Sequence, residues 1–339
     1  MTTPLKQKAL LLQSKQGEFS VGERDVPKPG VGEVLVKNVA IGLNPLDYKI
    51  QALGIIVKDY PTVIGVDASG IVADVGEGVS DWKPGDRVIY EGDVENDHAT
   101  YQQYTVVGAK LLAKIPEAWS MEEAAALPLA VCTAAVGLYH AQGGPRFVPP
   151  WQEGGKSKYV GTPIVIMGGA TSNGSLAIQW AKLSGFSPII TTASPRNGEY
   201  LRKFGATHIL DRALDASDLL IEVSTIAGGK VSVVYDGASN ADTQNAAFDF
   251  LAPGGKLLIV SLNAVREEKK AKAEKEGENK AIVNVLGVVQ LPFLRAFGEE
   301  LFAHLSALLE NDAFKPLHVE VLPGGLSRRR LRRSEILGI

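Results

Sequence analysis

Cysteine is all but missing: Cys132 is the single one in 339 residues. One thiol makes no internal disulfide, which excludes a cystine-stapled secreted scaffold. It equally excludes a zinc site built from two or more thiolates. Cys132 lies in an apolar, helix-like run and reads as core packing. Long apolar runs are missing too. Apolar runs such as that around 282–289 fall far short of the roughly 20 residues that cross a bilayer. Nothing behind Met1-Thr2-Thr3-Pro4-Leu5-Lys6 has the apolar length of a secretory signal. A soluble, cytoplasmic protein is the expectation, with no membrane partner. An excess of one charge is also absent: 35 basic residues face 38 acidic ones, net −3. No overall field draws such a chain to nucleic acid, and none is expected as a partner. The five histidines (His98, His140, His208, His304, His318) form neither H-x-H nor H-E-x-x-H. They read as surface or half-buried residues, and no metal is expected. There is no G-x-S-x-G nucleophile elbow. Gly155-Lys156-Ser157 resembles the end of a P-loop, but Pro150 holds the first glycine position.

What is present is glycine, 36 residues, and enough apolar content, 45%, for real cores. The length suits two domains. The first part is β-rich. Lys8–Gln13, Glu18–Arg24, Val34–Gly42, Ile64–Val75 and Arg87–Tyr90 are short and bounded by glycine and proline turns. That texture predicts an all-β, barrel-like module. Near residue 120 it changes: Ser120-Met121-Glu122-Glu123 opens a helix into an alanine-rich run. Residues 143–163, rich in glycine and proline, read as a solvent loop. Beyond them strands alternate with helices: Ile164–Met167, a helix over 175–184, Ile189–Thr192, a helix containing Tyr200–Phe204, then strands at Val231–Tyr235, Lys256–Ser261 and Ile282–Val289. Such alternation predicts a doubly wound parallel sheet. Arg266–Lys280, almost wholly charged, reads as an exposed helical insertion. Leu294–Glu310 reads as an amphipathic helix.

The strongest chemical motif is Gly168-Gly169-Ala170-Thr171-Ser172-Asn173-Gly174, between a strand and a helix. Small residues there let the backbone turn sharply and approach a pyrophosphate at the helix N-terminus. A carboxylate about 20 residues on would bind the 2′-hydroxyl of NAD. The next strand ends instead in Ala193-Ser194-Pro195-Arg196-Asn197. Ser194 can donate to a 2′-phosphate and Arg196 can neutralise it, so NADPH is favoured over NADH.

Several runs resemble the medium-chain dehydrogenase/reductase superfamily: Pro29–Val36, Asn44-Pro45-Leu46-Asp47, Gly65–Val72 with Val75-Gly76 and Gly85–Val88, the glycine loop, Phe204-Gly205-Ala206, Asp236-Gly237 and Pro253-Gly254-Gly255. The zinc branch of that superfamily carries a cysteine near Asn44–Asp47 and a Gly-His-Glu segment. The latter place reads Gly65-Val66-Asp67 here. The resemblance is therefore to the zinc-independent branch of quinone, alkenal and enoyl reductases. Gly168–Ser175 with Ala177-Ile178-Gln179, Ser194–Asn197 and Val321–Gly325 are most similar to fungal trans-acting enoyl reductases, which serve polyketide assembly lines.

That resemblance implies an α/β plus β architecture: a GroES-like β-barrel catalytic domain over 1–127, a Rossmann NADPH-binding domain over 128–290, and a return to the catalytic domain over 291–339, with the active site in the cleft between the domains. It implies cofactor contacts at Asn44, Pro45, Leu46 and Asp47 near the nicotinamide and at Gly168, Gly169, Ala170, Thr171, Ser172, Asn173 and Gly174 around the pyrophosphate. Ser194, Arg196, Asn197 and Arg212 would take the adenosine phosphate, and Ser261 and Leu262 the nicotinamide side. Val131–Tyr139 would face substrate. Hydride transfer to the β-carbon of an activated alkene builds charge on a carbonyl oxygen, and Lys49 and Thr133 are the implied catalytic groups that stabilise it. The implied substrate is a small or carrier-tethered enoyl compound, the implied partner a polyketide synthase, and the protein a monomer or homodimer. A quinone or alkenal reductase, or an NADPH-binding structural or regulatory protein, stays open as an alternative. Three departures stand out, one being the charged Arg266–Lys280 stretch, which is unusual for its position. Arg212 replaces a usual tyrosine, and the arginine-rich tail 327–339 replaces a helix and last strand. The tail is expected to be poorly ordered.

Overall fold

The computed structural model describes residues 3–141 and 144–327. The chain divides into two units. One holds the residues through Leu129 with Val288–Asp312 and the segment from Pro316. The other holds Ala130–Gly287 with Ala313–Lys315. The arginines of the tail, 328–333, lie outside the described residues, and so does the expectation made for them.

The first unit is built on antiparallel strands: β1 (Lys6–Leu12), β2 (Phe19–Asp25) and β3 (Glu33–Gly42), then helix α1 (Pro45–Leu53), then β4 (Thr62–Val63), β5 (Asp67–Val75), β6 (Arg87–Glu91), β7 (Tyr104–Gly108) and β8 (Leu112–Lys114), closing with α2 (Met121–Ala125). They form a three-stranded sheet, β2-β1-β4, and a five-stranded sheet, β7-β3-β5-β6-β8. The strand expected over 64–75 starts only at Asp67, as β5. Gly65, at φ 100°, breaks the run before it, since a Cβ there would collide with the Tyr101 ring and the Thr100 hydroxyl. A core of Leu10, Leu12, Ile50, Val63, Ile64 and Tyr101 fills this unit. α2 starts as the sequence predicts, with Ser120 and Glu123 exchanging bonds in a capping box.

α3 (Pro128–Tyr139) leads into the second unit: β9 (Ile164–Met167), α4 (Ser172–Ser184), β10 (Ile189–Ala193), α5 (Gly198–Phe204), β11 (His208–Asp211), α6 (Ala216–Ala227), β12 (Val231–Asp236), α7 (Ala241–Phe250), β13 (Leu251–Ile259), α8 (Glu267–Lys275) and β14 (Ala281–Asn284). The six strands run parallel in the order β11-β10-β9-β12-β13-β14. This is the doubly wound sheet the strand–helix alternation predicts. β9 and β10 are buried throughout, as strands covered on both faces must be. α9 (Arg295–Glu310) returns to the first unit, where Ser306 Oγ accepts the Lys114 N–H at 3.0 Å.

Three expectations are corrected. The last strand stops at Asn284. Val285 N–H still donates to Ile259 O at 2.8 Å, but the chain then leaves the sheet and runs against α3, where a Cβ on Gly287 would collide with Thr133. Residues 144–163 hold no helix or strand, yet they are more than a solvent loop. Trp151 packs on Tyr139 and Trp180, and Phe147 and Tyr159 pack on Phe186. Arg266–Lys280 is not an insertion. Parallel strands need a crossover, and α8 supplies the one between β13 and β14. Val265 and Ala273 enter the sheet core, and Lys269 Nζ donates to Asn245 O at 3.0 Å and pairs with Asp249. Apart from Lys269, its charges lie mostly on the exposed side.

Paired substitutions separate an insertion from a packed crossover. Ala273→Glu should cost about 2–4 kcal/mol, because it forces a carboxylate into the core. Ala271→Glu, two residues away and exposed, should change stability by less than about 0.5 kcal/mol. Urea unfolding of the two variants measures both.

Candidate functional site

In the first unit the residues expected at the cofactor lie at the turn into α1. Asn44 precedes Pro45 at the first helical position, where a missing N–H costs nothing. Asn44 and Leu46 are half-buried, Pro45 is exposed, and Asp47 is 1% exposed. Asp47 Oδ2 accepts the Asn44 N–H at 2.7 Å and the Tyr101 hydroxyl at 2.9 Å, while its Oδ1 is buried with no partner. Asp67, also buried, accepts Leu129 N–H at 2.7 Å on one oxygen and Asn44 Nδ2 at 2.9 Å on the other. Burial pushes the Asp47 carboxyl up to about 7, against the pull of its two donors. Burial does the same to Asp67, also to about 7, and the Asp47 charge adds to it. Two carboxyls this dry and this close do not both ionise freely. Lys49, one half-turn further along α1, is half-buried and has no ion pair among the described residues.

In the second unit the glycine loop joins β9 to α4. Gly168 takes φ 69°, and a Cβ there would press within 2.7 Å of Ala238. A Cβ on Gly169 or Gly174 would strike Thr191 Oγ1 or Gly168 O. Thr171 caps α4, its Oγ1 accepting Gly174 N–H at 3.0 Å. Ala170 and Ser172 stand exposed at the helix start, and Asn173 Oδ1 is buried with no partner. Bare backbone and the donor groups of a helix N-terminus fit a dinucleotide pyrophosphate. β10 ends at Ala193, followed by half-buried Ser194, exposed Arg196 and half-buried Asn197. β11 lies beside it with Ala193 opposite Asp211, and Arg212 N–H donates to Ala193 O at 3.0 Å. Arg196 and Arg212 therefore stand over adjacent strand ends. Both are exposed, and neither makes an ion pair among the described residues.

Past β13, Ser261 is half-buried and Leu262 is 80% exposed. Their loop is held by two side chains that sequence reasoning missed. Gln244, fully buried on α7, donates to Leu262 O at 2.9 Å and accepts Ala264 N–H at 2.7 Å. Asn245 donates to Ala264 O and accepts Arg266 N–H, each at 3.0 Å. Asp236, at the end of β12, accepts the Ala238 and Ser239 N–H groups and the Thr243 hydroxyl, and burial raises it to about 6. Thr133 is 6% exposed, and residues 131–139 are buried along their whole length. Cys132 is buried with them. Among the described residues no three histidine, cysteine, aspartate or glutamate side chains form a group able to hold a metal, and no helix is long and apolar enough to cross a membrane.

Residues 30–117 match the family described as alcohol dehydrogenase GroES-like domain, and residues 174–287 the one described as zinc-binding dehydrogenase. A trans-enoyl reductase of Gibberella fujikuroi is 30% identical over 352 residues, covering 96% of both chains. The chain belongs to the medium-chain dehydrogenase/reductase superfamily. The dehydrogenase pigH of Monascus ruber is 36% identical over 213 residues. That match takes in 60% of this chain and spans little more than half, 55%, of pigH. A mycobacterial protein solved with NADPH superposes at a TM-score of 0.70 with 26% identity, covering 91% of this chain and 90% of that one.

Two predictions follow from the carboxyls and from Gln244. A carboxyl raised on folding destabilises the folded state once it must ionise. Between about pH 4, where unfolded carboxyls titrate, and about 7 the folded chain holds protons the unfolded chain has lost. Stability should therefore fall across that window, by a few kcal/mol in all, and the full cost is present above it. Denaturant titrations at stepped pH should show the fall, and Asp47→Asn should flatten it. Separately, Gln244→Ala should weaken dinucleotide binding roughly tenfold by freeing the 261–264 loop, as read by titration calorimetry.

Proposed function

We propose that this chain is an NADPH-dependent reductase of activated carbon–carbon double bonds that works without zinc. The observation that carries the cofactor choice is the end of β10. It bears Ser194 and no carboxylate, with Arg196 and Arg212 free beside it. Two guanidiniums and a hydroxyl suit a 2′-phosphate, whereas the ribose hydroxyl of NADH needs an acceptor. The reaction is supported by the relatives, since proteins named trans-enoyl reductase match along nearly all of this chain. Zinc independence is supported by Val66, which has no lone pair, where the zinc branch carries histidine.

The dinucleotide, when bound, supplies the hydride. The chain supplies placement and charge. The loop into α4 and the start of that helix, from Ala170 to Asn173, hold the pyrophosphate. Asn44–Asp47 and Ser261-Leu262 bound the nicotinamide half. The Lys49 ammonium faces the carbonyl oxygen on which charge develops and lowers that charge's energy. Thr133 orients the substrate carbonyl. The residues through 127 with 291–339 form the catalytic domain, and 128–290 the cofactor domain. The substrate is an enoyl thioester tethered to a carrier of a polyketide synthase, which acts as the partner.

Cofactor oxidation with a panel of enoyl thioesters, enones and quinones tests this reading. Turnover should be fastest with the thioesters and should require NADPH. Arg196→Ala and Arg212→Ala should each raise KM for NADPH about tenfold and leave use of NADH unchanged. Equal turnover with NADH would overturn the cofactor choice. Tight NADPH binding without turnover on any acceptor would overturn the reaction.

A further inference from the structure

We propose that Asp67 is a positioning residue for the nicotinamide end of the site, holding Asn44 and the first turn of α3 on one buried side chain. The proposal rests on the cofactor reading above, which gives Asn44 to the nicotinamide half. That reading gives Asp67 no task of its own.

The geometry is specific. Asp67 opens β5 directly after the Gly65 turn, so its side chain enters the interior beside Tyr101 and Asp47. It is 2% exposed and uses both oxygens. One accepts the Leu129 N–H at 2.7 Å. That N–H belongs to the first turn of α3, where helix donors have no partner within the helix. A carboxylate there satisfies the donor and meets the positive end of the helix dipole. The other oxygen accepts Asn44 Nδ2 at 2.9 Å. This fixes which way the Asn44 amide faces, because the carbonyl side of the amide must lie opposite its nitrogen. The Asn44 backbone is pinned separately, its N–H donating to Asp47 at 2.7 Å. Main chain and side chain of one residue are thus gripped by two different carboxyls.

Both helices that begin here carry proposed chemistry. α1 carries Lys49 and α3 carries Thr133. Asparagine at 67 keeps the size but has a single acceptor. It can satisfy Leu129 or Asn44, and toward the other it presents an N–H against an N–H. The loss should therefore appear at the nicotinamide end and not along the whole dinucleotide.

Binding of two ligands to the purified full chain reads this out. NADPH carries the nicotinamide, whereas 2′,5′-ADP carries the adenosine half with the same 2′-phosphate and no nicotinamide. Asp67→Asn should weaken NADPH about tenfold and change 2′,5′-ADP by less than about twofold. In turnover it should lower kcat more than it raises KM for the acceptor. Asn44→Ala removes the partner and leaves the Asp67–Leu129 bond, so it should give the same NADPH-selective loss. The double variant should lose little beyond either single one. If Asp67→Asn does not fold, Asn44→Ala carries the test, and undiminished NADPH binding by that variant overturns the proposal. An equal loss for both ligands, or none, by a folded Asp67→Asn overturns it too. Failure of the parent reading is seen in the wild type alone, as no binding of NADPH, and the proposal falls with it.

Discussion

Two carboxyl groups taken out of water, Asp47 and Asp67, constrain almost everything around them in the first unit. An ionised carboxylate in a dry interior is costly unless donors surround it or a proton neutralises it. Three nearby features meet that demand. Tyr101 brings its hydroxyl to Asp47, Asn44 divides its main-chain and side-chain N–H groups between the two acids, and α3 contributes the Leu129 N–H. Gly65 is part of the same arrangement, since only a residue without a Cβ leaves room for Tyr101 and Thr100 at that turn. What remains unmet is Asp47 Oδ1, buried without a donor. An oxygen in that position is the natural seat of a proton, consistent with burial raising both acids.

The second unit solves a different problem, that of approach. A pyrophosphate reaches main-chain N–H groups only where no side chain intervenes, and parallel strands gather such openings at their C-terminal ends. β9 lies at the point where the strand order reverses, with β10 on one side and β12 on the other. The glycine loop follows β9, Ser194 and Arg196 follow β10, Arg212 follows β11, the Asp236 turn follows β12, and the loop of Ser261 and Leu262 follows β13. Every residue expected at the cofactor in this unit therefore sits past a strand end of one sheet. Exposed loops would wander if nothing tied them. Asp236 and Gln244 tie them from beneath through main-chain groups, so residues 261–264 can change side chains without losing their path.

How far such features can be read from sequence depends on how local they are. The glycine loop, the α2 capping box and the Ser194–Arg196 tip each need only a few consecutive residues, and all stand where the pattern puts them. Asp67 and Gln244 had no such signature. The Asp67 partners lie 62 and 23 positions away, and Gln244 reaches Leu262 across 18. Those spacings follow from the fold and from no periodicity. α8 fails for a different reason. Its composition reports the face that meets water, and only Val265 and Ala273 report the face that meets the sheet. Two apolar residues among so many charges give no amphipathic signal, although the crossover they anchor is required for β14 to run parallel to β13. The strand expected through Val289 ends early because Gly287 must pass close to Thr133, a tertiary demand that the apolar run conceals.

The two groups proposed to meet charge on the substrate carbonyl differ in what their surroundings allow. Thr133 is buried along a helix whose neighbouring positions are all buried, and the Gly287 backbone presses on its hydroxyl side. A hydroxyl so confined has little freedom to follow a developing charge, but it can hold a fixed direction. Lys49 stands on α1, whose start is fixed by Asn44 and Asp47, and its ammonium has no acidic partner among the described residues. A cation already committed to a carboxylate would gain little from a second anion, because the two compete for one charge. An unpaired, half-buried one retains its full attraction for an oxyanion formed beside it, in surroundings that screen it less than bulk water does. Under the proposed reaction the larger share of the charge stabilisation therefore falls to Lys49, with Thr133 setting direction, and Asp47 and Asp67 hold the helix from which Lys49 acts.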